Sequence, residues 1–257
     1  MTTYFGRVLF EGHARFAVKI DRLVGLLEQS FLTHPQFAAV EWHSLDEVRV
    51  LPPVTPRVVL AVGRNYRAHA AELGNEVPTE PLFFLKQPGT VIADGDSVLI
   101  PDNMGRIDFE GELVAVIGRR VFGLKNHQEA MDAIFGYTIG NDITARALQK
   151  RDGQWVRAKG FDTFGPIGPW IAQGLDSHNL RLVTTVNHTV HQDGNTQDMI
   201  FSVEDLVFRA SQFMTLEPGD VIFTGTPEGV GPVQEGDVVQ ITIEGVGTLS
   251  NSIKNRD

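Results

Sequence analysis

A chain of 257 residues with 42% hydrophobic content can bury one large core, with or without a small companion domain, and is neither disordered nor fibrous. Thirty-two acidic against twenty-two basic residues give a formal charge of -10, and the longest basic cluster is the short run KRDGQWVRAK, which argues against nucleic acid or an anionic membrane as a principal partner. The absence of cysteine removes disulfides, thiolate nucleophiles and thiolate-bound metals from the candidate chemistry.

The opening MTTYFGRVLFEGHARFAV lacks a basic start followed by a long apolar core, and no window approaches about eighteen uninterrupted apolar residues, so a soluble, cytoplasmic protein is expected. Short alternating runs such as RFAVKI come first, with a short helix predicted around RLVGLLEQ. The prolines of LPPVTPR then mark a boundary between a small N-terminal region, 1–54, and a main domain, 55–257. From VVLAVGRNYRAHAAELG the pattern is strand, glycine turn, short polar helix. FFLKQ and SVLIP read as strands on either side of PGTVIADGD, and the acidic segment RIDFEGELVAVIGRR follows. A helix is predicted over NHQEAMDAIF, where Ala130 and Ile134 recur at helical spacing, leading into GYTIGNDITAR. A better-marked helix starts at Ser202, with Asp205 at the capping-box position and LVFRASQFM as its apolar stripe before EPGD stops it. The final third alternates DVIFTG, DVVQITI and GTLSNSI with glycine turns. The expected class is α+β, mainly β with short helices.

In the acidic segment, Asp108, Glu110 and Glu112 share parity with Val114 and Val116, so an extended chain projects all three carboxylates from one face. Like charges this close repel. Either water screens an exposed strand end, or a positive group sits between them. Asp142 follows the apolar YTI at a strand end or turn, where it either caps a helix over ITARALQ or joins Glu110 and Glu112 in a three-carboxylate oxygen set. Such a set suits magnesium or manganese, with the remaining positions left to water and substrate oxygens. His188 and His191, in VNHTVHQ, fall on opposite faces of a strand and read as surface or turn residues. His69 and Glu72 lie three apart on a short helix and can touch, which on composition alone is an ordinary surface pair. Gly63 and Gly74 flank that helix and permit a hinge. TGTPEGVGPV has the glycines of a phosphate cradle but neither the lysine nor the spacing of a P-loop.

The segments VGRNYRAHAAELG, LFFLKQPGT, IDFEGELVAVIG, GYTIGNDITAR, AKGFDTFGPIGPW and FTGTPEGVG resemble, in order, the motifs of the fumarylacetoacetate hydrolase family. The likeness is to its small acylpyruvase and 2-hydroxyhepta-2,4-diene-1,7-dioate isomerase members, and it runs from about residue 55 to the end. It implies a mixed β-sandwich roll of the family's C-terminal type, a homodimer, and Mg2+ or Mn2+ held by the E-x-E pair Glu110 and Glu112 and by Asp142 before T-A-R. It also implies Lys159 beside the chelated oxygens, Arg146 and Gln149 in substrate contact, Thr226 in the binding pocket, and His69 with Glu72 as a catalytic dyad on a lid. Asp108 matches no ligand and is expected near the rim. The implied substrate is a small anionic 2-oxo carboxylate, since two adjacent oxygens can chelate one hard cation. The leading expectation is hydrolysis of a carbon–carbon bond in an acylpyruvate or related 2,4-dioxo acid, releasing pyruvate, with His69 activating water and Lys159 steadying the enolate that leaves. Oxaloacetate decarboxylation and 2-hydroxydienedioate isomerisation or tautomerisation use the same metal without an attacking water and stand as alternatives. A non-enzymatic binding protein fits the intact ligand set least well.

Overall fold

The structure, a computed structural model, describes residues 2–34, 38–72, 74 and 76–256. Its centre is the antiparallel pair Gly111–Ile117 and Ile134–Asn141, two runs rich in β-branched and aromatic residues. Both faces of Gly111–Ile117 are covered. Leu113, Ala115 and Ile117 enter one core with Tyr137, Ile139, Leu182 and Ile241, while Val114 and Val116 enter a second with Phe5, Ile171, Val221 and Phe223. That double burial is why the run is nearly continuous in apolar residues rather than alternating.

The pair sits inside a 12-stranded sheet. On one side follow Val221–Phe223, Val59–Gly63 and Leu82–Lys86. On the other come Gly165–Gln173 and then the N-terminal meander Thr3–Phe10, His13–Ile20, Leu23–Leu27 and Ala39–Ser44, so the first strands extend the main sheet. A five-stranded sheet runs Thr189–Asn195, Arg181–Val186, Val238–Ile243, Gly247–Asn255, Ser97–Ile100 and contributes Leu182, Ile241, Ile243 and Leu249 to the first core. A small third sheet joins Thr144–Ala145, Ile107–Phe109 and Gly231–Pro232. The helices are short, as expected: Arg67–Glu72, His127–Met131, Arg146–Asp152, Val156–Lys159 and Val203–Ser211. Ser202 caps the last of them, its hydroxyl accepting from the Asp205 backbone N–H. No helix among the described residues is long and apolar enough to cross a membrane.

Three expectations need correction. RLVGLLEQ is not a helix: Leu23–Leu27 pairs on both sides, with His13–Ile20 and Ala39–Ser44. A helix there would carry Gly25 in its interior at about 1 kcal/mol, whereas in the strand Gly25 lets the chain pass beside Trp42, whose ring would lie 3.0 Å from any added Cβ. The helix over NHQEAMDAIF stops at Met131, and Ile134 opens a strand, because Ile134–Asn141 gains a partner on each side. The acidic segment is two strands broken at Glu110, and Asp108 is fully buried rather than at a rim. Its carboxylate accepts from Arg106 Nε at 2.6 Å and Arg146 Nε at 2.7 Å, which removes the cost of an unpaired buried charge.

Candidate active site

Strand register brings Glu110, Glu112 and Asp142 together. Gly111 pairs with Asn141 and Glu112 with Gly140, so the turn of sequence between the two strands collapses to neighbouring positions. Asn141 fastens the junction by accepting from the Glu110 N–H at 3.0 Å, and the Asp142 N–H donates to the Glu110 carbonyl at 2.9 Å. All three carboxylates are buried, and one oxygen from each lies within 4.8 Å of the others. Asp142 caps no helix: Arg146–Asp152 begins after Ala145, without a side-chain cap.

The positive groups required between the acids are present. Lys159 Nζ donates to Glu110 Oε2 at 2.8 Å and Asp142 Oδ2 at 2.5 Å. Burial works against its charge, yet Asp142 and Glu110 outweigh burial and hold its ammonium above the usual range. Lys86, unassigned by sequence reasoning, donates to Asp142 Oδ1 at 2.6 Å and to the Lys159 carbonyl at 2.5 Å. Burial and the neighbouring Lys159 pull its pKa down, Asp142 opposing them. Its sequence signal was a lysine closing the apolar strand LFFLK, at the parity of Phe84, whose ring faces the Lys159 ammonium at 5.1 Å. Arg146 lies 2.7 Å from Glu110 Oε1 and also donates to Gln149 Oε1 at 3.0 Å.

Glu112 is treated differently. It accepts the Gly225 N–H at 2.7 Å, and burial with Asp142 and Glu110 as like-charged neighbours pushes its carboxyl well above the usual range. Glu110, by contrast, is held low despite burial, by Lys159 and Arg146. The close approach of residue 225 requires glycine: its φ is +98°, and an added Cβ would stand 2.7 Å from the Asn65 Cβ. Three hard oxygen donors with one uncompensated carboxylate fit a divalent cation, which would relieve the repulsion that Glu112 carries.

Above the acids is a cavity of about 490 Å³ lined by His69, Glu110, Glu112, Arg146, Gln149, Lys159 and Thr226, among others. Asp142 and Glu72 do not line it directly; they hold Lys159 and His69, which do. His69 Nδ1 is 3.4 Å from Glu72 Oε2, and Glu72 is itself fixed by the Gly229 N–H at 3.1 Å. An ionised carboxylate can only accept, so Nδ1 carries the proton and Nε2 is the free basic nitrogen. Burial lowers the His69 pKa, with Arg146 adding to it and Glu110 opposing. Thr226 spends its hydroxyl proton on the Gly111 carbonyl at 2.8 Å and accepts from Gln192 Nε2 at 2.7 Å. Gln192 Oε1 in turn accepts the Gly111 N–H at 3.0 Å, a buried brace that sequence reasoning missed because glutamine in an exposed hairpin carries no motif. His188 and His191 are exposed, as expected.

Residues 58–254 match the family model described as fumarylacetoacetate (FAA) hydrolase C-terminal. The chain belongs to the fumarylacetoacetate hydrolase family. It is 42% identical to the oxaloacetate tautomerase YisK of Bacillus subtilis over 226 residues, covering 82% of this chain and 75% of that protein. Among solved structures it resembles a 2-hydroxyhepta-2,4-diene-1,7-dioate isomerase from Mycobacterium marinum, with a TM-score of 0.91, 39% identity and 99% of each chain covered. A 5-carboxymethyl-2-hydroxymuconate delta-isomerase from Mycobacterium smegmatis gives a TM-score of 0.89 at 41% identity, again over 99% of each chain. The family fold and the carboxylate cluster together support metal-dependent catalysis on a 2-oxo acid, and these three relatives carry the names of a tautomerase and two isomerases.

Proposed function

We propose that this chain catalyses keto–enol tautomerisation or double-bond isomerisation of a 2-oxo or 2-hydroxydienoic acid, with Glu110, Glu112 and Asp142 holding Mg2+ or Mn2+. The bound cation supplies Lewis-acid polarisation of the two adjacent oxygens of the 2-oxo acid. The supporting observation is that His69, Lys159, Glu110 and Glu112 line one cavity, with the Lys159 ammonium held by Glu110 and Asp142 and with burial lowering the His69 pKa, which favours the neutral, basic imidazole. His69 Nε2 takes a proton from C3, the C–H electron pair becomes the C2–C3 double bond, and the C2 oxygen gains charge beside Lys159. Return of a proton to that oxygen completes the enol, and the reverse sequence gives the ketone. Arg146 and Gln149 bind and orient the substrate carboxylate, and Thr226 holds the backbone of Gly111 beneath it.

Hydrolysis of an acylpyruvate is the second reading. It is favoured by the His69–Glu72 contact, which can also activate water. The test follows the ultraviolet absorbance of enol-oxaloacetate and of acetylpyruvate in the same magnesium buffer. Tautomerisation is expected to exceed cleavage in kcat/KM by about a hundredfold, equivalent to about 2.7 kcal/mol of transition-state discrimination. Cleavage faster than tautomerisation would transfer the assignment to the hydrolase.

A further inference from the structure

Asn65 does not line the cavity, yet its side chain is fully buried and uses both amide protons and its oxygen. Nδ2 donates to the Phe201 carbonyl at 3.0 Å and to the Thr224 carbonyl at 2.7 Å, and Oδ1 accepts the Phe201 N–H at 2.9 Å. These partners lie 136 and 159 residues away, so the amide is a tertiary clamp and not the local turn former that asparagine often is. The clamp closes on the turn that touches the acid cluster. Thr224 gives its N–H and its hydroxyl to the Leu113 carbonyl, at 3.1 and 2.8 Å, while its own carbonyl is taken by Asn65. The next N–H in the chain, that of Gly225, is the one that Glu112 Oε2 accepts.

The Thr224 carbonyl and the Gly225 N–H belong to one peptide unit. That unit is trans and planar, so its C=O and N–H point in opposite directions. Holding the oxygen aims the hydrogen. Resting on the proposed metal set, and not on which reaction it serves, we infer that Asn65 is a positioning residue for the metal ligand Glu112, acting through the 224–225 peptide. The amide of Asn65 fixes the plane of that peptide, the peptide fixes the rotation of the Glu112 carboxylate, and a ligand already oriented loses less freedom when a cation binds. The same residue reaches the other side of the site. Asn65 stands two positions before the helix Arg67–Glu72, and its carbonyl accepts the Ile200 N–H at 2.8 Å, which anchors the start of the element that carries His69.

Asn65→Ser tests this, because the shorter side chain leaves the Thr224 carbonyl without its donor. Asn251→Ser is the matched control: Asn251 is likewise buried and donates to two carbonyls, of Ala93 at 2.8 Å and of Asp96 at 2.9 Å, from a strand of the five-stranded sheet. Two quantities are read, magnesium affinity by titration calorimetry and hydrogen exchange of the Gly225 amide in metal-free protein. Asn65→Ser should bind magnesium about tenfold more weakly than the wild type, the usual scale for losing a partner behind a metal ligand. Its Gly225 amide should exchange about tenfold or more faster, and Asn251→Ser should match the wild type in both. Wild-type magnesium affinity in folded Asn65→Ser, or an equal loss in Asn251→Ser, would overturn the inference. Exchange is read without cation or turnover, so it judges the brace apart from the metal reading: protection lost only in Asn65→Ser supports it, and unchanged protection overturns it. Should Asn65→Ser not fold, the wild type decides. Its Gly225 amide should exchange at least about a hundredfold more slowly than an unstructured one, and free exchange would overturn the brace.

Discussion

The floor of the site and its wall are built in opposite ways. The floor carboxylates hang from paired strands, are buried, and are braced by Lys86, Lys159, Asn141 and the Gly225 N–H. The wall is the six-residue helix Arg67–Glu72, whose His69 is oriented by one long contact to Glu72 and whose Glu72 reaches across to Gly229. Charge that must stay fixed through a reaction is mounted on the rigid element, where reorganisation is small. The group proposed to give and take a proton is mounted on the lightly tethered one. In the proposed enolisation both take part, but only the floor is indispensable, since buffer can replace a proton shuttle and cannot replace a held cation.

The largest effect should come from the floor. Glu112→Gln or Asp142→Asn is expected to abolish stoichiometric magnesium binding and to lower enolisation by about a thousandfold or more. Calorimetric titration with metal reads the first and isotope exchange the second. Unchanged metal affinity in either folded variant would take that residue out of the ligand set and dissolve the division between floor and wall. Next is Lys86→Met, which leaves Asp142 with one cation instead of two inside a buried cluster. It should cost about 3–5 kcal/mol of stability, the penalty for breaking a buried pair, with part recovered on adding magnesium. Chemical denaturation with and without metal measures this, and an unchanged midpoint would mean that Lys86 is dispensable to the floor.

How far this division was legible in the sequence depended on how local its cause was. The E-x-E pair and the aspartate before T-A-R carried the acids, because parity and motif spacing survive in the strand register. Lys159 and the His69–Glu72 pair were likewise visible in short motifs. Lys86 and Gln192 were not: one reads as the polar end of a strand and the other as a hairpin residue, and each acquires its role from partners at least fifty residues away or more than thirty away. The Leu23–Leu27 strand was misread for the same reason, since its partners rather than its own residues decide its conformation.

On the wall the expected effects are smaller. His69→Ala should slow tautomerisation by about a hundredfold, and exogenous imidazole should restore part of the rate, whereas no small base should rescue the floor variants. Because burial lowers the His69 pKa, the wild-type kcat/KM should stay level as pH falls to the ordinary histidine value of 6.5 and decline only below it. A decline beginning above that value would show that another group supplies the base. Smallest of all is the ion pair set remote from the site, His178 with Asp176 and Glu204. Its hydrogen bond to Asp176 and its contact with Glu204 raise the histidine pKa, so its stabilisation is complete below about pH 6.5 and lost as pH rises through the higher folded-state value. Exposure to solvent keeps the effect slight, and thermal melts of His178→Gln should match the wild type at alkaline pH and fall just below it at acid pH.

The central claim, that floor and wall together enolise a 2-oxo acid, is tested most directly by proton NMR of 2-oxobutanoate in deuterated, magnesium-containing buffer. This substrate has no bond for the protein to hydrolyse and no far carboxylate to lose. The magnesium-loaded protein should wash out the C3 protons well above the protein-free rate, and Lys159→Met should reduce that washout by about a hundredfold or more while leaving metal binding intact. Exchange no faster than in buffer, from protein that still cleaves acetylpyruvate, would contradict the account.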